Sequence, residues 1–202
     1  MKYTPSTIAV SVVPALALVQ VTHASFVLYA NPTSWANQAG GTPVQANLFN
    51  YLSNPFATQQ IPDNIFADLG ITMHSAVPLV AHMQTSGTSW YISTDTQGTQ
   101  IEITFATPQT AIYLTSAVKT VTGTFLQDQS TKSYYAGGTL LGSTGANSMG
   151  AISSIPIDRV VVTVNNASYI PVIGPSFYFV PSPGALAALL LAPLTVRARR
   201  RT

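Results

Sequence analysis

The chain has 202 residues, of which only 7% are charged, 47% apolar and 9% aromatic, and it has no cysteine. Charge this sparse, against about a quarter in an ordinary soluble chain, argues against a typical cytosolic enzyme, while the apolar share argues against disorder. The absence of cysteine excludes a disulfide framework, thiolate metal sites and thiol catalysis. Between Ser25 and Val180 the only cations are Lys119, Lys132 and Arg159, against all six acids, so the body carries a net charge of −3. Lys2, Arg197, Arg199, Arg200 and Arg201 make the ends basic. A nucleic-acid-binding domain carries its cations on the body, so nucleic acid is not an expected partner.

In chain order, residues 1–24 read as a secretory signal peptide. A short segment holding Lys2 leads into the apolar run Ile8–Val21, and Thr22-His23-Ala24 ends it on a small residue. Cleavage is therefore expected between Ala24 and Ser25. The run is broken by Pro14 and falls short of the roughly 20 residues a membrane span needs.

Residues 25–180 are expected to form one all-β domain, a jelly-roll-like β-sandwich, flanked by the N-terminal signal helix and a C-terminal hydrophobic helix. Asn31-Pro32 through Gly40 offers an N-cap, a proline at N1 and a C′ glycine, which predicts a short helix over Thr33–Ala39. Val44–Leu52 fits either helix or strand. Short β runs are predicted at Phe26–Tyr29, Gly70–Met73, Trp90–Ser93, Ile101–Phe105, Ala111–Ala117, Val121–Leu126, Thr139–Leu141 and Phe177–Val180. Ile157–Val164 is longer and reads as a central strand. Turn signals stand at Thr96-Gln-Gly98, Ala136-Gly-Gly138 and Asn165-Asn166.

The segment 181–202 has its own logic. Val180-Pro181-Ser182-Pro183-Gly184 is hostile to regular structure, and Ala185–Val196 is apolar but for Thr195. Arginines at 197, 199, 200 and 201 follow. An apolar run capped by cations is a stop-transfer element whose charged end stays on the cytoplasmic side. Pro-x-Pro, a short apolar helix and a terminal arginine cluster together resemble the sorting signal of PEP-CTERM proteins, with Ser182 where that family usually carries glutamate. The resemblance implies a chain that is exported and held transiently in the inner membrane by its tail. An exosortase-like membrane protease would then cut it near Pro181, Ser182, Pro183 and Gly184 and pass it to the cell surface or the extracellular matrix. It also implies a link to exopolysaccharide or biofilm.

The body is similar to the domain often found ahead of that tail. The matching stretches are Leu69-Gly70-Ile71-Thr72-Met73, the strand ending Phe105-Ala-Thr-Pro108, Gly138-Thr-Leu-Leu-Gly142 and Gly150-Ala-Ile-Ser-Ser-Ile-Pro-Ile-Asp-Arg-Val160. This likeness implies an extracellular β-sandwich without catalysis.

Chemistry-bearing motifs are sparse. His74 and His82 lack the spacing of a His-Glu-x-x-His metal site, and Asp63, Asp68, Asp95, Asp128 and Asp158 are dispersed. Glu102 stands on the polar face of the strand 101–105. No Gly-x-Ser-x-Gly nucleophile turn occurs. No cofactor is expected. Structural calcium, which needs only Asp, Asn and carbonyl oxygens, is left without assigned ligands. Three functions follow: a non-enzymatic exported matrix protein, a carbohydrate-binding jelly roll, and, third, a polysaccharide-active hydrolase needing two facing carboxylates. For the second, Trp35, Trp90, Tyr91, Tyr134 and Tyr135 are the aromatics that could stack on sugar rings. Tyr134 and Tyr135 point to opposite faces of their strand, so at most one belongs to the core.

Overall fold

A computed structural model of the chain describes residues 25–54, 57–83, 90–126, 129–145 and 149–183. The predicted signal helix with Ala24, and the tail residues Gly184, Arg197, Arg199, Arg200 and Arg201 with the apolar helix between them, lie outside the described residues, as does Asp128. No helix among the described residues is long and apolar enough to cross a membrane.

The elements run β1 (Phe26–Tyr29), α1 (Pro32–Gln38), β2 (Val44–Asn47), a 3-10 turn (Leu48–Asn50), β3 (Gln59–Ile61), a second 3-10 turn (Ala67–Leu69), β4 (Ile71–His74) and β5 (Leu79–Met83). They continue with β6 (Trp90–Ser93), β7 (Gln100–Lys119), β8 (Phe125–Leu126), β9 (Ser130–Ala136), β10 (Thr139–Thr144), β11 (Gly150–Val164) and β12 (Ile170–Pro181). The domain is thus all-β with one helix. Every strand pairing is antiparallel. The strands form one hydrogen-bonded network, with β10-β9-β11-β7-β12-β6-β5-β3 as its main path.

Three long strands fold this network over on itself. The first half of β7 pairs with β4 and with the end of β11, whereas its second half pairs with β12 and with the start of β11. Each long strand breaks register in its middle, at a break that holds a proline. Pro108 lies in the extra residues of β7, Pro156 in those of β11, and Pro175 in those of β12, between Ile173 and Phe177. Proline has no amide to give to the ladder and is tolerated where a bulge leaves a residue unpaired. Beside Pro175, a Cβ on Gly174 would stand 2.0 Å from Thr115 Oγ1, so the bulge in β12 also requires a glycine.

The bends produce two facing layers. The first holds β4, the first half of β7, the end of β11, β9 and β10. The second holds β1, the start of β11, the second half of β7, β12, β2 and β6. Between them lies one apolar cluster. Ile71, Met73, Ile101, Ile103, Val160 and Val162 come from the first layer, and Ile112, Leu114, Ile173, Phe177 and Phe179 from the second. A smaller cluster covers the outer face of the second layer, where Trp35 and Ala39 of the α1 region rest on Ala111, Tyr113 and Val180. Asn31 caps α1 by accepting from the amides of Thr33 and Ser34. Gly40 follows the C-cap at φ 72°.

Most predicted strands sit where expected, though several are pieces of longer ones. Ile101–Phe105 and Ala111–Ala117 are both β7. The Val44–Leu52 ambiguity resolves as strand and then 3-10 turn, with Asn47 accepting from the Phe49 amide. Val121–Leu126 is a correction. Thr120–Thr124 is a turn closed by Gly123 at φ 87°, Val121 is 68% exposed, and only Phe125–Leu126 pairs.

Candidate functional site: the outer face of the first layer

Alternation along β4, β7, β11 and β9 sends one residue set into the core and the other outward. The outward set aligns in rows across five strands. One row runs Thr72, Thr104, Arg159, Tyr135 and Leu140, and the next runs His74, Glu102, Val161, Ser133 and Ser143. These residues are linked to one another. The Arg159 guanidinium lies 4.2 Å from the Tyr135 ring centre, and its Nη1 donates to Glu102 Oε2 at 3.2 Å. His74 Nδ1 meets Asp63 Oδ2 at 2.8 Å, and Ser133 and Ser143 share a hydroxyl contact at 3.0 Å.

Stacking on the ring and a hydrogen-bonded carboxylate together fix the plane of the guanidinium. The face therefore offers a rigid ring-and-cation platform flanked by hydroxyls. Past Glu102 and His74 the face continues into a cleft of about 350 Å³, lined also by Ser75, Thr99 and Gln100. Ser75 is 8% exposed and its Oγ has no hydrogen-bond partner. A buried hydroxyl without a partner is uncommon, and this one borders a cleft.

The expected aromatic platform needs correction. Tyr134 is fully buried between the layers, with its ring 5.4 Å from that of Phe26. Trp35 is 2% exposed, and its Nε1 donates to the Ala151 carbonyl. Neither presents a face to a ligand: Tyr134 fills an inward position between the layers, and Trp35 is the large apolar group that packs α1 onto the second layer. The ring of Trp90 lies outside the described residues. Tyr135 keeps an outward, half-buried ring. Of the predicted tail motif, Pro181 ends β12, and Ser182 donates its amide to the Pro108 carbonyl. Pro183 is exposed.

A second polar cluster was not legible. His82 Nε2 meets Asp95 Oδ2 at 2.7 Å, while Asp95 Oδ1 accepts from Lys119 Nζ at 2.5 Å and from Ser93 Oγ at 2.7 Å. The Tyr91 ring stacks on His82 at 4.9 Å between centres, Lys119 Nζ stands 5.1 Å from its centre, and Phe125 abuts it edge-on. Asp95, at φ 53°, is the one non-glycine residue in the left-handed region among those described. Burial, reinforced by the Lys119 charge, lowers the His82 pKa, although Asp95 pulls the other way. For Asp95 burial acts against the charge, but the bonds from Lys119 and Ser93 and the charges of His82 and Lys119 outweigh it and hold the carboxyl low. Its groups engage one another, and the cluster ties β5, β6 and β7 together.

Sequence reasoning missed Arg159, His74 with Asp63, and Ser75. The alternation of Ile71-Thr72-Met73-His74 against that of strand 101–105 held the signal, since it sets His74 beside Glu102 once β4 and β7 are paired. Among the described residues no group of three or more His, Asp or Glu side chains gathers to hold a metal ion.

No protein-family model matches the chain, and neither does any curated protein. Among solved structures it is similar to a family 6 carbohydrate-binding module, at 15% identity and TM-score 0.32, over 63% of this chain and 95% of that one. It is also similar to a low-affinity xylan-binding module from Roseburia intestinalis, at 13% identity and TM-score 0.33, over 64% and 98%. A Clostridium stercorarium module in complex with cellobiose gives 17% and 0.30, over 63% and 95%. Scores this low do not establish a shared fold.

Proposed function

We propose that this domain is a non-catalytic module that holds polysaccharide across the outer face of its first layer, on a chain exported and sorted by its C-terminal signal. The observation carrying the reading is the Tyr135–Arg159–Glu102 platform, set among Thr72, Thr104, Ser133 and Ser143 and ending in the cleft at Ser75. Five strands about 4.8 Å apart span roughly 19 Å, room for several pyranose rings in a row. Sugar hydroxyls both donate and accept, which suits a surface mixing guanidinium, carboxylate, imidazole and hydroxyl groups. The C–H faces of the rings suit the tyrosine and Leu140, which is 53% exposed. The function argued is adhesion of an exported protein to exopolysaccharide, with the exosortase-type tail as the means of delivery.

Affinity gel electrophoresis of the full-length chain against xylan, a mixed-linkage β-glucan and the exopolysaccharide of its own host tests the reading. Retardation by at least one of these is expected. Tyr135→Ala is expected to weaken it about tenfold, equivalent to about 1.4 kcal/mol, with unchanged thermal unfolding. Retardation by none, or undiminished retardation of the variant, overturns the proposal.

A further inference from the structure

Side-chain cations are scarce on this domain, and each is already committed. Between Ser25 and Val180 the only three are Lys119, Lys132 and Arg159. Lys132 is fully buried and donates to Ser116 Oγ at 2.8 Å. Lys119 is 7% exposed and donates to Asp95 Oδ1 at 2.5 Å. Arg159 alone of the three belongs to the outer face of the first layer, where it rests on the Tyr135 ring and donates to Glu102 Oε2 at 3.2 Å.

Acids surround that one charge. Asp158 precedes Arg159 in β11, about 3.8 Å away between Cα atoms, and accepts from the Gly137 amide at 2.6 Å. Asp63 is exposed, and from 2.8 Å it balances any proton on the His74 ring. The Arg159 charge is cancelled by Glu102, and the other carboxylates give its surroundings a negative sign over the roughly 10 Å that charge reaches in salt solution. A carboxylated or sulfated chain laid on this face brings its anions against those carboxylates with no uncompensated cation to meet them, which costs affinity. An uncharged chain meets no such penalty, since its hydroxyls donate to carboxylates and accept from the guanidinium.

Building on the polysaccharide reading, we infer that the face selects uncharged polysaccharide and rejects polyanionic chains, and that Glu102 sets this preference by cancelling the charge of Arg159.

The test is calorimetric titration of the full-length chain with neutral xylan, mixed-linkage β-glucan and the host exopolysaccharide, each as it stands and carboxymethylated, at low and at high salt. Carboxymethylation of a chain that binds is expected to weaken it about tenfold or more at low salt. Affinity for an uncharged chain is expected to be the same at both salts. Glu102→Gln uncovers the Arg159 charge, so the ratio of neutral to carboxymethylated affinity is expected to fall about fivefold at low salt, a change that high salt erases. Arg159→Gln keeps the carboxylate and is expected to hold the ratio at or above that of the natural chain. The selectivity is overturned if the carboxymethylated form binds as tightly as the neutral one, or if a host exopolysaccharide that binds is itself anionic. It is also overturned if Glu102→Gln weakens both forms in proportion, as a merely structural role would. Binding of no polysaccharide in either form overturns the polysaccharide reading and the selectivity with it, whereas binding without selectivity overturns the selectivity alone.

Discussion

Tyr134 and Tyr135 are adjacent in β9 and differ in everything but side chain. Tyr135 is half-buried beneath a guanidinium, whereas Tyr134 is sealed in the core with a hydroxyl that has no hydrogen-bond partner. Burial pushes its phenol pKa well up. Removing an unpartnered buried hydroxyl while keeping the ring is neutral or stabilising, so Tyr134→Phe is expected to raise unfolding stability by about 0–2 kcal/mol in urea titrations. A loss of stability would mean that a buried water satisfies the hydroxyl. The alternation rule made legible that these two tyrosines face opposite ways. Which one faces inward depended on neighbours no local pattern contains. The other inward residues of β9 are Ser130 and Lys132, both fully buried, with the Lys132 ammonium bonded to Ser116 Oγ at 2.8 Å. A strand whose core face reads Ser-Lys-Tyr shows no apolar period, and for that reason β9 was absent from the predicted runs.

The His82–Asp95–Lys119 cluster also belongs to the residue scale. Folding lowers the His82 pKa below 6.5, so as pH falls the unfolded chain takes up its proton first. The stability of the neutral ring is therefore complete above pH 6.5 and is lost as pH falls toward the folded value. Asp95, also lowered, acts in the same direction below pH 3.8, its share being lost as pH falls through its folded value. Urea midpoints measured at pH 7, 6 and 5 are expected to decline steadily. His82→Gln keeps a donor for Asp95 but cannot titrate, and it should flatten that decline. An equal slope in the variant would assign the acid sensitivity to another group.

At the scale of elements, α1 docks because one strand gives way to it. A Cβ on Gly150, the first residue of β11, would stand 2.6 Å from Trp35 Cδ1 and 3.1 Å from Tyr113 Cδ2. Gly150→Ala is expected to cost about 1–3 kcal/mol through overpacking, read in urea unfolding, and to lift α1 off the second layer. Combining it with Trp35→Ala should recover part of that loss; strict additivity would show that the indole is not the obstacle. The helix itself was plain in the sequence, because its cap, N1 proline and C′ glycine are local signals. The long strands were not. Pro108, Pro156 and Pro175 look like strand ends from sequence, and each instead lies within a strand that continues past it. A bulge lets the strand pass the proline, and only the partner strand shows where the ladder resumes. The rows of the first layer's outer face were illegible for the same reason, since His74, Glu102 and Arg159 meet only through pairing.

At the scale of the molecule, two readings meet: a folded body with a polar, aromatic face, and ends whose composition speaks of export. Intact-mass spectrometry of the native protein from separate membrane and medium fractions of its host connects them. A species beginning at Ser25 and ending near Pro181–Pro183 is expected in the medium. A chain that keeps Arg197–Arg201 and stays in the membrane would refute processing at the Pro-Ser-Pro site while leaving the domain intact.

The point at which the chain leaves the fold decides how the domain bears a load. β12 ends at Pro181 after running through the middle of the network, with β7 along one side and β6 and β2 in turn along the other. A pull on the tail directed along β12 strains its hydrogen bonds in shear, many at once, where an edge strand would peel away one pair at a time. Whatever follows Pro181 in the chain therefore leaves from a strand held on both sides rather than from an edge.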